Sequence, residues 1–279
     1  MALKTEVLDR IPTYPGRVKL TPVEGETNTY DLVRADQPIQ EGTPINKALF
    51  DQKAYTLQED VTIYVSTNGS DTGGDGTSAA PYATVQKAID SLPKWLDGHT
   101  ARIEIAAGTY EERVTARNIR GGTLVIGSSS ATAVTLRGLL IDSCSSVQLN
   151  IPYITRSAAL GGIPFQISNG SVVALNSDLT VDCGGANISG ITVDTNSLLT
   201  VTFLWYTTVS NSASNAIAAY TGARVALFDL MGSNNTVGLS ADTAAVISYS
   251  SNSITAKTAQ KTGTGGRIYA GAQYNAPIY

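Results

Sequence analysis

Four segments of the chain decide its fold, and each begins 26 residues after the one before: LLIDSCSSVQL at 139–149, FQISNGSVVAL at 165–175, ITVDTNSLLTV at 191–201 and IAAYTGARVAL at 217–227. In every segment the first, third, ninth and eleventh residues are apolar, and the residues between them are mostly small or polar. Alternation with a period of two is typical of strands that bury one face. Each segment therefore predicts two short strands joined by a turn.

A strand unit that recurs at a fixed period cannot bury its apolar face alone, but stacked copies of it can. Neighbouring strands lie about 4.8 Å apart, so we expect Val173 to lie between Val147 and Leu199 in a continuous internal column. The sequence predicts an all-β, single-stranded parallel β-helix of about 26 residues per coil, with about seven coils. An antiparallel β-sandwich is the alternative, although it gives no reason for a strict register.

Beyond the fourth segment we expect a further coil, shortened by about five residues, in which Tyr249 follows Phe228 on the outer surface. Such a stacked aromatic pair is unusual on a surface. It indicates a contact between subunits, stacking on a sugar, or cover by a local loop. The predicted residues of this glycan or subunit contact are Phe228, Tyr249 and Tyr220.

The composition fits a β-rich globular chain. Charged residues make up 15% of the 279 residues, and the net charge is −4. This balance excludes the strongly basic surface of a nucleic-acid-binding protein. Residues 161–279 contain no Glu and only four basic residues, Arg224, Lys257, Lys261 and Arg267. A nearly neutral surface of hydroxyls and amides suits protein chains or sugars better than ions.

The residues before the repeat form a different region, 1–58, which is rich in charge and proline. Segments 17–20 and 30–33 predict two strands joined by a turn, and Thr43-Pro44 predicts a helix start that leads to Phe50. This region is too small for a robust core of its own. We therefore expect it to bind a partner surface and to serve as an anchor.

Three further regions follow. Residues 59–100 predict the β-helix entry, with a strand at 61–65 and an amphipathic helix from Tyr82 to Leu92 that covers the first coil. Residues 101–261 predict the parallel β-helix, whose first strands are 102–105 and 123–126. Residues 262–279 break the period and predict a C-terminal cap or tail.

No disulfide framework, metal site or leader is indicated by the sequence. Cys144 and Cys183 fall in different columns and have no metal-ligand spacing, so we expect two free thiols and no cofactor. Met1–Glu6 lacks the apolar run of a signal peptide. No run approaches the roughly 18 apolar residues of a membrane span. These features favour a protein that is made in a cytoplasm and does not insert into a membrane.

Two stretches carry short motifs outside the repeat. Residues 11–53 contain PTYPGRV at 12–18, TYD at 29–31, RAD at 34–36 and EGTPIN at 41–46. Residues 63–114 contain YVS at 64–66, NGSD at 68–71, GDGTS at 74–78 and GTYEE at 108–112. The first stretch resembles the N-terminal segment of tail or baseplate proteins from phages and prophages of Gram-positive bacteria. The second resembles the entry of pectate-lyase-like right-handed β-helices, a fold of phage tailspikes and receptor-binding proteins.

The resemblance implies a right-handed β-helix, a homotrimer and a location in the virion tail. It implies an N-terminal segment that attaches to another tail or baseplate protein, and a rod that faces the host surface and its glycans. The residues that would make the virion attachment are Tyr14, Arg17, Tyr30, Arg34, Pro44 and Phe50.

Tailspikes of this kind are often glycan hydrolases or lyases, so the resemblance makes paired carboxylates candidates for catalysis. Hydrolysis uses two carboxylates about 5–5.5 Å or about 6.5–9.5 Å apart. Asp142 and Asp194 share a column two coils apart, and Asp182 is a third weak catalytic candidate. Asp is also frequent in turns, and the single histidine, His99, lies in a predicted loop. We therefore expect a structural and receptor-binding protein, with a glycan-degrading tailspike enzyme as the alternative.

Overall fold

The computed structural model describes residues 11–12, 18–25, 27, 30–34, 38–40, 56–130, 133–201 and 205–270. The chain divides into two compact units, Met1–Tyr55 and Thr56–Tyr279. In the first unit, β2 (Val18–Pro22) pairs antiparallel with β3 (Tyr30–Arg34), as the sequence predicts, and β1 (Ile11–Pro12) pairs with β4 (Pro38–Gln40). The predicted helix from Thr43 to Phe50 lies outside the described residues.

The second unit is a parallel β-helix of about seven turns, as the repeat predicts. Each turn contributes one strand to each of three faces. Face 1 contains β5 (Val61–Val65), β6 (Thr100–Ile105), β9 (Thr123–Gly127), β12 (Val147–Asn150), β15 (Val172–Leu175), β18 (Leu198–Val201), the first half of β21 (Arg224–Met231), β23 (Val246–Asn252) and β25 (Arg267–Ala270).

Face 2 contains β7 (Gly108–Tyr110), β10 (Val134–Leu136), β13 (Tyr153–Thr155), β16 (Leu179–Asp182), β19 (Tyr206–Ser210), the second half of β21 and the end of β23. Face 3 contains β8 (Val114–Arg117), β11 (Leu139–Asp142), β14 (Phe165–Ser168), β17 (Ile191–Val193), β20 (Asn215–Ala219), β22 (Asn235–Ala241) and β24 (Ala256–Thr262).

The predicted internal columns are confirmed. Val173 pairs with Val147 on one side and with Leu199 on the other, and all three side chains are buried. On face 3, Phe165 likewise lies between Leu139 and its other partner on β17. Burying one such side chain stabilises the fold by about 1.5–3 kcal/mol, so a column that runs through successive coils supplies a continuous core.

A short helix, α1 (Val85–Asp90), packs at the N-terminal end of the β-helix against β5, β6 and β8. The Gln86 side chain bonds the backbone of Thr115 as a neighbouring strand would. Its Oε1 accepts from Thr115 N at 2.7 Å, and its Nε2 donates to Thr115 O at 3.1 Å. The Glu112 carboxylate accepts from Val85 N and Gln86 N. The first strand of face 3 therefore meets a helix in place of a further coil, which satisfies backbone groups that would otherwise be left without partners.

The C-terminal end differs from the prediction, because the coil does not end at Thr262. β25 pairs in parallel with β23, from Val246 opposite Arg267 to Tyr249 opposite Ala270. The inward column of face 3 changes from the buried Leu239 to the exposed Gln260 in this last coil. A polar residue thus ends the core. Residues 271–279, which were expected to cover this end, lie outside the described residues.

Two corners of the β-helix hold buried stacks of small and polar residues. Between faces 3 and 1, Ser171 Oγ accepts from Cys144 N, and Ser197 Oγ accepts from Ser171 N. Between faces 2 and 3, Asn235 Oδ1 accepts a hydrogen bond from Ser212 N. Cys183 is buried at the same corner, and burial raises the pKa of its thiol to about 11. Both cysteines are free and buried. Each thiol occupies a corner position that also accepts serine, which explains why the two cysteines fall in different columns.

Candidate functional site

The first carboxylate candidate, Asp142, lies at the corner between faces 3 and 1 and is engaged in structural bonds. Its Oδ2 accepts from Arg117 Nε at 2.7 Å, and its Oδ1 accepts from Asn169 Nδ2 at 2.7 Å and from Ser143 Oγ at 3.0 Å. Burial acts to raise the pKa of this carboxyl, but the three donors outweigh burial and hold the pKa below its usual value. The Asp142 carboxylate therefore holds the residues of this turn together.

Asp194 lies further along the same corner. Asp142 is opposite Ser168, and Asp194 follows Val193 in the next coil, so the two carboxylates are two strand spacings apart, about 9–10 Å. Asp194 Oδ1 accepts from Thr195 N within its own turn. Burial raises the pKa of Tyr220, and the charges of Asp242 and Asp194 raise it further. The two carboxylates are thus about as far apart as an inverting pair, but three donors engage the oxygens of Asp142.

We expect Asp142→Asn to lower the free energy of unfolding by about 1–2 kcal/mol at neutral pH, because an amide cannot accept from all three donors. The folded pKa of Asp142 lies below its unfolded value of 3.8. The stability that the ionised carboxylate contributes is therefore present above pH 3.8 and is lost as the pH falls through the folded pKa. Denaturant unfolding at pH 7 and at acidic pH checks this.

The matched control for Asp142→Asn is Asp194→Asn, which removes the same charge from the same corner. Asp194 Oδ1 accepts a hydrogen bond from the neighbouring Thr195 N, and the amide oxygen of an asparagine can accept the same bond. We expect a loss below about 0.5 kcal/mol for Asp194→Asn. Equal losses for the two variants at pH 7 would show that the three-donor arrangement contributes nothing.

The expected outer pair of Phe228 and Tyr249 is not formed. Tyr249 pairs with Leu227 inside the β-helix, has 7% of its surface exposed, and its hydroxyl accepts from Gln260 Nε2 at 2.7 Å. Phe228 is partly buried and packs against the core. The prediction was wrong by one residue, because Arg224 pairs with Val246 at an offset of 22 residues.

The predicted virion-attachment residues fall mostly beyond what the structure describes. Tyr14, Arg17, Pro44 and Phe50 lie outside the described residues. Tyr30 is exposed at the start of β3, where it pairs with Pro22, and Arg34 ends the same strand opposite Val18. These two residues stand at opposite ends of one antiparallel pair.

A groove of about 840 Å³ lies at the corner between faces 2 and 3. It forms where the connections between these faces shorten, from residues 183–190 to 211–214 and then to 232–234. The longest of these connections supplies one wall. The groove is lined by Gly184, Gly185, Asn211, Ala213, Asn234, Asn235, Thr236, Thr255, Ala256 and Lys257. Its lining is therefore amide, hydroxyl and backbone, with Lys257 as its charged group.

Asp182, the third carboxylate candidate, begins a row of hydrogen bonds that runs into this groove. Its Oδ1 accepts from Gly184 N and from Asn211 Nδ2, both at 2.9 Å. Asn211 Oδ1 in turn accepts from Asn234 Nδ2 at 3.1 Å. Asn211 and Asn234 have φ of 60° and 58°, a left-handed conformation that asparagine tolerates at such corners. We call Asp182, Asn211 and Asn234 the amide ladder.

Sequence reasoning missed the groove and the ladder. The sequence indicates Asp182 only as a catalytic candidate, and its 26-residue repeat does not distinguish Asn211 or Asn234 from other turn residues. The available signal is an asparagine followed by a serine or asparagine in the connection between faces 2 and 3 of successive coils. That signal does not recur every 26 residues, because Asn211 and Asn234 are 23 residues apart.

A second groove, of about 500 Å³, lies near the N-terminal end and is lined in part by Tyr64 and Glu104. The Glu104 Oε1 atom accepts from Ser129 N at 2.8 Å and from Ser129 Oγ at 2.9 Å. Its carboxylate is therefore engaged in holding the adjacent chain.

In comparisons with known proteins, no protein-family profile, no curated protein and no solved structure matches the chain. Among the described residues, no three His, Cys, Asp or Glu side chains are grouped so that they could hold a metal ion. Within the same part of the chain, no helix has the length and apolar character that crossing a membrane requires.

Proposed function

We propose that this protein is a receptor-binding component of a phage tail or a phage-tail-like particle, and that it binds a largely neutral host-surface glycan. The observation that carries the proposal is the groove between faces 2 and 3. Sugar hydroxyls both donate and accept hydrogen bonds, and the amides and hydroxyls that line the groove can also do both. Lys257 adds one positive charge, which accommodates an occasional anionic substituent.

The division of the chain into two units supports an anchor and a display element. In this proposal the unit Met1–Tyr55 attaches to another tail or baseplate protein, and the β-helix presents the groove to the host. A scaffold whose core is continuous from coil to coil is rigid, and binding residues on rigid elements keep their geometry. The protein would be made in the bacterial host cytoplasm and would act in the virion tail.

The proposal includes a homotrimer, and face 2 carries the exposed residues that suit it. Tyr153, Thr180, Thr208 and Met231 pair successively along the outside of this face, and Tyr206 lies near them. The exposed fractions of Tyr153 and Tyr206 are 42% and 45%. Light scattering on a sizing column should give three times 29.2 kDa for the full chain. A monomer at micromolar concentration would remove the trimer from the proposal.

A glycan-degrading tailspike is the alternative, and the spacing of Asp142 and Asp194 favours it. That spacing approaches the separation of inverting glycosidases, about 6.5–9.5 Å. An enzyme of this kind would release reducing ends from wall polysaccharide, and Asp194→Asn would abolish the release. For a binding protein we expect no release from the wild-type chain under conditions in which it adsorbs.

Adsorption to cell walls tests the proposed function. Full-length protein carrying a fluorescent label is mixed with purified walls from a panel of Gram-positive bacteria, and the retained fraction is measured after sedimentation. We expect saturable retention by at least one wall type, reversed by its own released polysaccharide. Retention by no wall, or equal retention by all walls regardless of competitor, would contradict a receptor-binding role.

A further inference from the structure

We infer that Asp182 is a positioning residue that sets the orientation of the amide ladder, so that Asn234 presents a carbonyl oxygen to hydroxyl donors of a neutral glycan. This inference rests on the proposed function and names the chemistry of its groove. It assigns Asp182 a role other than catalysis.

The argument begins with what each group can donate and accept. An ionised carboxylate only accepts, whereas an asparagine side chain has one accepting and one donating arm. Asp182 Oδ1 faces the amide of Asn211, so Asn211 has to turn its Nδ2 towards Asp182. The Oδ1 of Asn211 then faces the next coil.

The same logic fixes Asn234. Because Asn211 offers an oxygen, Asn234 donates to it through Nδ2. The Oδ1 of Asn234 is the remaining arm, and it accepts no hydrogen bond from the described residues. Asn234 is exposed and lines the groove together with Thr255 and Lys257. The ladder therefore ends in an acceptor whose orientation is decided two coils away.

A backbone group holds the first member in place. Gly184 N donates to the same Asp182 oxygen that accepts from Asn211. This N–H cannot reverse its direction, so it requires an oxygen at that position. An asparagine at 182 would meet the requirement with its own Oδ1, whereas alanine would leave the ladder without a fixed start.

Replacing Asp182 by asparagine and by alanine separates a positioning role from an effect of its charge and from a catalytic role. Asparagine-selective ¹⁵N labelling of the full chain lets the two side-chain protons of Asn211 and Asn234 be followed. In the wild type, each amide should show one hydrogen-bonded proton, shifted from its free partner and slow to exchange. Asp182→Asn should preserve this pattern, and Asp182→Ala should average the two protons towards free values.

Binding should follow the same order. The probe is the neutral polysaccharide fraction released from the walls that retain the wild-type chain. We expect Asp182→Ala to raise its Kd about threefold to tenfold, and Asp182→Asn to leave the Kd within about twofold. The control is Asp178→Asn, which removes a charge next to β16 without touching the ladder. Asp178 Oδ1 accepts from Tyr206 N, and an amide oxygen can accept the same bond.

The outcomes distinguish the two proposals. If no wall retains the protein, the proposed function fails, while the amide signals still report on the ladder. If walls retain it and Asp182→Ala leaves both the signals and the Kd unchanged, the positioning role is overturned. If Asp182→Asn abolishes reducing-end release, Asp182 acts as a catalytic carboxylate and the inference is likewise overturned.

Discussion

Gly232→Ala should lower the free energy of unfolding by about 3–5 kcal/mol, the largest loss we expect from a single methyl group in this chain. Gly232 has a φ of +142°, a region that is essentially restricted to glycine. A Cβ at this position would overlap the backbone oxygen of Val209 on the preceding coil. Backbone atoms of a stacked strand cannot move aside without disturbing their own ladder. Denaturant unfolding followed by circular dichroism measures the loss.

Gly170→Ala is the matched control for this substitution. Gly170 also has a positive φ, +71°, but a Cβ there would meet nothing within 4 Å. We expect a loss of about 1 kcal/mol, the usual cost of a left-handed conformation for a residue with a side chain. A Gly232→Ala protein that is no less stable than Gly170→Ala would show that the two coils are not packed as described.

Asn235→Ala should cost about 3 kcal/mol of unfolding free energy, because it strips two buried backbone groups of their partner. Asn235 is 4% exposed, its Oδ1 accepts from Ser212 N at 3.1 Å, and its Nδ2 donates to Val209 O at 2.9 Å. Asn235→Asp would keep the acceptor and lose the donor, while burying a charge. Thermal or denaturant unfolding at neutral pH checks both variants.

The adjacent residue supplies the control. Asn234→Ala removes the same side chain from an exposed position, so we expect a loss of about 1 kcal/mol, which is the cost that alanine incurs in the left-handed conformation of this residue. Equal losses for the two neighbours would contradict the buried role of Asn235. Val209 O is also the atom that a Cβ at Gly232 would meet. The two destabilising substitutions therefore share a neighbour, and their combined loss should be smaller than the sum.

The repeat predicted the columns of the core because burial imposes the same demand on every coil. Phe165 and Ile191 are 26 residues apart, and they pair as expected. The 26-residue period fails where the connections between strands change in length while the buried columns continue. Arg224 pairs with Val246 after 22 residues, and Val246 pairs with Arg267 after 21. A shift of one residue turns a strand side chain to the opposite face, which is why Tyr249 is inside.

The groove could not be predicted from the same pattern. It arises from differences between coils, in particular from the connection at 183–190 being longer than those that follow it. Its ladder is held by side-chain bonds between Asp182, Asn211 and Asn234, which have no common offset in sequence. Periodicity reports what the coils share, whereas binding sites on a solenoid are formed by what distinguishes one coil from the next.

Wall adsorption of paired variants tests most directly the proposal that the groove between faces 2 and 3 binds the host surface. The groove variant is Asn234→Ala combined with Lys257→Ala, and the comparison variant is Tyr64→Ser in the second groove. At equal native mass and stability, we predict that the groove variant loses at least about tenfold in affinity for the retaining walls, while Tyr64→Ser adsorbs like the wild type. Undiminished adsorption of the groove variant would contradict the account.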